Sequence, residues 1–320
     1  VRALLIVNPH ATSTTRERRD VIVRALASAV DLEVVHTRYR GDATRLAATA
    51  ATGGADLVMT LGGDGTVNEA VNGLLGGEGA AGGHPAAIPP PAAELPALAA
   101  LPGGNANVFT RSLGLPRDPV DAAGRLIDDL ANKRERCIGL GRAGGRYFTF
   151  NAGIGLDAEA VRAVEGRRAH GVSLTPAMFA RTALRQYYQV TDRRHPAITI
   201  TKPEDLCRGE LYLCILANSA PWTYLGSRPV NTNPDASFDT GLDLFGLRSL
   251  GTVSTLRALR QMFSGRAEAV RGRSVVTGHD LAAVEIAASR PTAFQLDGEY
   301  MGEVEAISFG SVPRALRVIG

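Results

Sequence analysis

The chain has 320 residues, 45% hydrophobic and 21% charged, enough for two globular domains with ordinary cores. Its formal net charge of +3 is too small to argue for a nucleic-acid partner, and no apolar run reaches the roughly 18 residues of a membrane span. Three cysteines without metal-binding spacing, Cys137, Cys207 and Cys214, fit a reducing cytosol.

The first 132 residues alternate strand and helix signals. Leu4-Leu5-Ile6-Val7 is an apolar run ending at Asn8-Pro9. It is too short for a signal peptide and reads as a buried strand; with no initiator Met, a few upstream residues are expected. Helical periodicity over 16–29, a strand over 32–36 and an Ala-rich helix over 43–52, stopped by Gly53-Gly54, follow. A fully apolar strand over 57–61 leads through a glycine turn into a helix over 67–75. This is the βαβα pattern of a parallel sheet covered by helices. Residues 76–100 are a glycine-, proline- and alanine-rich loop, expected to be mobile. Order resumes with a strand over 98–102 and a helix starting near Asn107.

From 133 to 314 short β-type segments dominate: 146–150, 197–201, 211–216, 284–286, 292–296 and 303–309. Helical interruptions lie near 172–190 and 251–264, and 315–319 is a final strand. This stretch reads as a second, β-rich domain.

The strongest chemical signal is Gly62-Gly63-Asp64-Gly65-Thr66-Val67-Asn68-Glu69, which follows a strand and opens a helix. A glycine turn lets phosphate approach backbone N–H groups, and a helix N-terminus adds partial positive charge. Asp64 repels phosphate, so its roles there are to hold Mg²⁺ through water or to orient a proton donor. Thr66 caps the helix or bonds a phosphate oxygen, and Asn68 and Glu69 are expected to face the same mouth. A plain strand–turn–helix corner would use the same glycines. Pro102-Gly103-Gly104-Asn105-Ala106-Asn107 is a second such turn, on the same sheet edge as Asn8-Pro9. Asp297-Gly298-Glu299 offers two carboxylates for general-base work, or is simply a hairpin turn.

In order, these motifs together with Asn151-Ala152-Gly153-Ile154-Gly155-Leu156-Asp157 resemble the diacylglycerol kinase catalytic-domain family, which includes bacterial lipid kinases and the sphingosine and ceramide kinases. The resemblance covers essentially the whole chain. It implies an N-terminal α/β domain like that of phosphofructokinase and NAD kinase, doubly wound, and a C-terminal β-sandwich domain, with ATP in the cleft and strand 315–319 returning to the first domain. By resemblance the phosphate contacts fall on Asn8, Pro9, His10, Ala11 and Thr12, on Gly62 to Glu69 and on Gly104-Asn105, with Thr37 a further nucleotide contact. Glu299 would be the proton acceptor with Asp297 as its orienting partner, the reverse remaining open. The implied activity is ATP- and Mg²⁺-dependent phosphorylation of a lipid hydroxyl, diacylglycerol-like or sphingoid.

This chain departs from the family in having Asn105 for a Thr and Val108 for an Asp. In Asp239-Thr240-Gly241-Leu242-Asp243 a Thr stands before the Gly of the accessory Mg²⁺ loop. The metal ligand would shift to Asp239 or to carbonyls near Leu242, or the site is lost. The resemblance implies a cytoplasmic protein, peripheral at the inner membrane face and compatible with a homodimer. Arg162, Arg167, Arg168, Arg181, Arg185, Arg193 and Arg194 are either a solvated helical face or an attraction for anionic headgroups, and Trp222 and Tyr224 are expected to be exposed membrane contacts. Two alternatives stand beside the lipid kinase. One is an NAD kinase, which shares Gly-Gly-Asp-Gly but not the Asn68-Glu69 continuation. The other is a binding regulator that has lost turnover through Asn105, Val108 and Thr240.

Overall fold

The computed structural model describes residues 1–11, 14–77, 90–169 and 194–320. The expected helix near 172–190, Thr12 and residues 78–89 of the 76–100 loop lie outside them, and the end of that loop is ordered, since β4 begins at Ala97. The chain forms two compact units. The first comprises Val1–Leu140, Gly145–Tyr147 and Val312–Gly320, and the second Gly141–Gly144 and Phe148–Ser311.

In the first unit β1 (Arg2–Val7), β2 (Asp31–His36), β3 (Leu57–Gly62) and β4 (Ala97–Pro102) are parallel, in the order β2-β1-β3-β4. The end of β15 (Glu299–Ile319) extends this sheet, with Val318 opposite Leu98 in parallel. The inner strands are buried on both faces, which is why β3 and β4 are near-continuous apolar runs, broken only by the buried Thr60 in β3. On one face Leu5, Val7, Met59, Leu61 and Leu101 pack against Ile22 and Leu26 of α1 (Arg16–Ala27) and Ala122 and Leu126 of α5 (Pro119–Ala131). Asp118 caps α5 by accepting from the Val120 and Asp121 N–H groups, with Pro119 at the first helical position. Elsewhere in the unit α2 (Asp42–Thr52) packs on α3 (Asp64–Leu74). They meet at Gly73, where an added Cβ would lie 2.2 Å from the Thr44 carbonyl oxygen.

The second unit is a largely antiparallel sheet in which β13 (Val275–Leu281), β12 (Leu242–Leu247), β9 (Leu213–Ala217), β7 (Asn151–Gly155) and β14 (Ala283–Leu296) are successive neighbours. β8 (Ile198–Lys202) and the first part of β15 both pair with β14. Alternation splits the strands between two cores. Cys214, Leu216 and Leu244 join a cluster with Phe148, Phe294 and Phe309, whose rings pack edge to face at 6.1–6.4 Å. Leu213, Ile215, Phe245 and Leu247 turn the other way, onto Ala258 and Met262 of a helix over Thr252–Met262. The segments 284–286 and 292–296 are one strand, because a register irregularity between Ala287 and Thr292 absorbs the turn-like Ser289-Arg290-Pro291. Likewise 303–309 and 315–319 are one strand. Among the described residues no helix is long and apolar enough to cross a membrane.

Replacing Gly73 with Ala forces α2 and α3 apart, since the clash is with backbone that cannot rotate away. Gly73→Ala is expected to destabilise the first unit by about 1–3 kcal/mol, read from the midpoint of urea unfolding. An unchanged midpoint would mean that the helices separate at no cost.

Candidate functional site

Parallel strands carry the first unit's candidate residues to one sheet edge. Asn8 follows β1, Thr37 follows β2, Gly63 follows β3 and Gly103 follows β4. β1 and β3 are neighbours whose connections leave in opposite directions, so the crevice at their carboxyl ends is the topological switch point where open α/β sheets bind ligands. A hydrogen bond spans it: Asn8 Nδ2 donates to Thr66 Oγ1 at 3.2 Å. Asn8 Oδ1 accepts from the His10 N–H and its carbonyl from the Ala11 N–H, which folds Pro9, His10 and Ala11 into a turn beside it.

The two glycine turns lie back to back. The Gly103 N–H donates to the Gly62 carbonyl at 2.7 Å. A Cβ on Gly103 would stand 2.8 Å from the Gly62 Cα, and one on Gly104 would stand 2.7 Å from the Gly63 Cα. No side chain fits between these backbones. Gly62 is constrained again by Thr66, whose hydroxyl would lie 2.6 Å from an added Cβ. α3 starts at Asp64, with Gly63 as its N-cap and no side chain capping it. The half-buried Asp64 carboxylate accepts from the Phe109 N–H at 3.1 Å, tying α3 to α4 (Val108–Ser112). The residue that shapes the second turn is Asn107, which in the sequence marks only the place where a helix begins. It adopts φ +48°, and its amide both accepts from the Gly104 N–H and donates to the Gly104 carbonyl, each at 2.8 Å. Asn105 is exposed on that turn, while Val108 is buried.

Asn68 and Glu69 do not face this mouth. Glu69 Oε1 accepts from the Gly41 N–H at 2.8 Å and Oε2 from the Ala43 N–H at 3.1 Å, so its carboxylate caps α2. Asn68 Nδ2 donates to the Tyr147 carbonyl, and its Oδ1 accepts from Arg146 Nη2. Asn72 completes that anchor by accepting from the Tyr147 N–H and donating to its carbonyl.

In the second unit Asp297 and Gly298, both at positive φ, turn β14 into β15, with Leu296 opposite Glu299. The buried Asp297 carboxylate accepts four hydrogen bonds. Oδ2 takes the Thr149 N–H and hydroxyl at 2.7 and 2.8 Å, and Oδ1 takes the Phe150 and Asn151 N–H groups at 2.9 and 3.1 Å. A carboxylate has about four lone-pair positions, and these donors fill them. Asp297 therefore holds the 149–151 segment, while Glu299 lies half-buried one residue beyond the turn.

Behind the turn is a buried polar chain that sequence reasoning missed. The Gly298 N–H donates to Gln295 Oε1 at 2.9 Å, and Gln295 Nε2 donates to Asn151 Oδ1 at 2.9 Å and to Asp157 Oδ2 at 2.7 Å. Asp157 belongs to the first turn of α6 (Leu156–Ala169), and a Cβ on Gly153 would meet its carboxylate oxygen at 1.8 Å. Burial pushes the Asp157 carboxyl up to about 6, against the pull of the Gln295 hydrogen bond.

At the expected accessory metal loop Asp239 is exposed and Leu242 is buried at the start of β12. The loop's other carboxylate is engaged: Asp243 Oδ1 lies 2.8 Å from His279 Nδ1 and accepts from the Asp280 N–H at 3.1 Å. Burial raises the Asp243 carboxyl above its usual range in spite of these bonds. Among the described residues no three His, Cys, Asp or Glu side chains converge as metal ligands. Trp222, expected to be exposed, is half-buried against the cluster beneath the 252–262 helix, and its carbonyl accepts from Asn151 Nδ2; Tyr224 is half-buried too. Arg162 is paired with Glu303 at 3.1 Å and lies over the Tyr300 ring. The side chains of Arg167, Arg168, Arg181, Arg185 and Arg193 lie outside the described residues.

Residues 2–138 match the diacylglycerol kinase catalytic domain, and residues 151–320 match the YegS C-terminal NAD kinase β-sandwich-like domain. A diacylglycerol kinase of Bacillus subtilis (strain 168) is 28% identical over 94% of this chain and 90% of its own length. One of Staphylococcus haemolyticus (strain JCSC1435) is 26% identical over 99% and 87%. A crystal structure of a diacylglycerol kinase from Bacillus anthracis str. Sterne has the same fold, with a TM-score of 0.69 at 23% identity over 99% of this chain and 96% of that one.

Asp157 carries a testable stability cost. Its folded pKa lies above the unfolded value, so between about pH 4 and 6 the unfolded chain loses this proton while the folded chain keeps it, and stability falls as pH rises through that window. The penalty, about 3 kcal/mol, is complete above the folded value. Asp157→Asn removes it. The stability of that variant relative to wild type, from urea unfolding at pH 4 and at pH 7.5, is expected to rise by about that amount. Parallel curves for the two proteins would assign the loss to other groups.

Proposed function

This chain belongs to the diacylglycerol kinase catalytic-domain family, and on that premise we propose that its acceptor is the free hydroxyl of a diacylglycerol-type lipid and that Glu299 takes the hydroxyl proton. The enzyme is an ATP-dependent lipid kinase. The likeness to NAD kinase is carried by the second, β-sandwich-like domain, whereas the catalytic domain matched over 2–138 is that of a diacylglycerol kinase.

The observation that carries the nucleotide assignment is the pair of abutting glycine turns at the switch point. They leave the backbone N–H groups at the start of α3 without a side-chain cap, and phosphate fits such a surface by charge and by shape. Asn8 and Thr66 border the same crevice, and Thr37 stands one strand away. Asp64 is a hard oxygen donor in the first turn of α3, suited to Mg²⁺ directly or through water. When bound, Mg²⁺ would neutralise charge on the β- and γ-phosphates.

The acceptor hydroxyl needs a base because its own pKa is far above 7. Asp297 has its lone pairs committed to four donors, which leaves Glu299 as the carboxylate of this turn suited to the role. As the lipid oxygen bonds to the γ-phosphorus, its proton passes to Glu299, the β–γ bridging P–O bond breaks and ADP leaves. The names of the relatives favour diacylglycerol over a sphingoid base. We place the enzyme in the cytoplasm, peripheral to the membrane that holds its substrate.

Glu299→Gln is expected to lower kcat by roughly 10²–10⁴ with the KM for ATP unchanged. Asp297→Asn instead presents an NH₂ to N–H donors and should lose about 3 kcal/mol of stability or more. Asp64→Ala should fold normally and lose turnover. The assay is transfer from radiolabelled ATP to diacylglycerol in mixed micelles at saturating lipid, with thermal unfolding run in parallel. Ordinary turnover in Glu299→Gln would remove it as the base, and ordinary turnover in Asp64→Ala would move the catalytic centre away from this turn.

A further inference from the structure

The helix over Thr252–Met262, α7, has one face in the core and another that is exposed among the described residues. Thr255, Ala258 and Met262 are buried. At 100° per residue, Val253, Leu256, Arg257, Arg260 and the C-cap Phe263 fall together on the opposite side. Val253 is 82% exposed, Leu256 57% and Phe263 43%. They account for three of the seven exposed large apolar side chains among the described residues, so the exposure is concentrated here.

The surrounding charge has one sign. Between Arg248 and Arg273 the sequence holds six arginines and a single acidic residue, Glu268. All six arginines are exposed, and among the described residues none is in an ion pair. The chain after α7 is folded back along it. Gln261 donates to the Arg271 carbonyl and accepts from its N–H, each at 3.0 Å, and Asn231 Nδ2 donates to the Arg266 carbonyl. The backbone that carries Arg266 and Arg271 is thereby held, by Asn231 and by Gln261 of the helix.

We infer that this face docks the enzyme on an anionic lipid surface, arginines at the headgroup phosphates and Val253, Leu256 and Phe263 at the acyl boundary. Both halves of the pattern are used only by lipid. A nucleic acid would take the arginines and leave the apolar tips in water. A second copy of this chain, paired about a two-fold axis, would cover the tips but set arginine against arginine. A basic helix with apolar tips is the combination that lies in a membrane interface. The docking inference rests on the lipid-kinase reading for its purpose, though the contact itself can be measured without turnover.

The test is flotation of the full chain with vesicles of phosphatidylglycerol and phosphatidylcholine, or of phosphatidylcholine alone, at about 0.1 M salt, within the range where screening is moderate. Wild type should float with the anionic vesicles only and be released as salt rises. Arg257→Gln with Arg260→Gln should lower partitioning roughly 30-fold, about fivefold per charge. Val253→Ser with Leu256→Ser should lower it roughly tenfold or more. Variants that float like wild type, or wild type binding phosphatidylcholine equally, would overturn the inference. So would a dimer in light scattering that the Val253→Ser, Leu256→Ser pair dissociates, because the face would then be covered by a second copy. Phosphorylation of a short-chain, water-soluble diacylglycerol without vesicles should be unchanged in all variants. If wild type fails that assay, the lipid-kinase reading fails on its own, whatever flotation shows.

Discussion

The first unit depends on one close approach. The turns after β3 and β4 touch backbone to backbone, with the Gly62 carbonyl accepting the Gly103 N–H and no room for a Cβ at Gly103 or Gly104. A side chain at either position would separate the ends of two neighbouring strands, and with them the starts of α3 and α4. The contact between Asp64 and the Phe109 N–H exists only because the turns abut. Asn107 has to adopt a left-handed conformation to bring the chain from this contact into α4. Asn is among the few residues with a side chain that tolerate it, and its amide bonds both backbone groups of Gly104 in return.

A second constraint is that polar and charged residues in these motifs are committed to backbone groups. Glu69 supplies the cap that α2 lacks, since its own N-cap is Gly41. Asn68 and Asn72 serve Tyr147 as a neighbouring strand would, offering a donor and an acceptor to one residue's peptide groups. Asp297 offers acceptors alone, to the N–H groups of residues 149–151. Buried backbone groups left unpaired cost about 1–3 kcal/mol each, so side chains that satisfy several at once are structural by energetic weight.

How far the sequence discloses this follows the range of the interactions. Strands β1, β3 and β4 are legible because each is a short, mostly apolar run closed by glycine or proline, a local signal. The Asp-Gly hairpin is legible for the same reason. β7 is not, because Asn151–Gly155 is glycine-rich and becomes a strand only between β9 and β14. α5 was open to reading from Asp118-Pro119, a cap followed by a proline at the first helical position. Asn68 and Glu69 are misread for different reasons: Asn68 lies about 200° round α3 from Thr66 and points away from it, whereas Glu69, only about 60° away, is taken by the Gly41 and Ala43 N–H groups of a segment distant in sequence. The partners of Asp297 lie nearly 150 residues earlier in the chain, and no local pattern announces them.

The placement of residue 299 is the last link. Its neighbour Gly298 is pinned through Gln295, whose amide has one orientation that works, Oε1 to the Gly298 N–H and Nε2 to Asn151 and Asp157. An apolar residue at 157 would avoid the cost of burying a carboxyl, but it would leave Nε2 with one acceptor and make the amide easier to turn over. A carboxylate accepts in either orientation of its oxygens, so Asp157 selects the Gln295 rotamer whatever its own small movements. Asp297 fixes the turn from one side and Gln295 from the other. The hairpin therefore holds residue 299 on a backbone with little freedom, restrained through Asp297 and through Gln295.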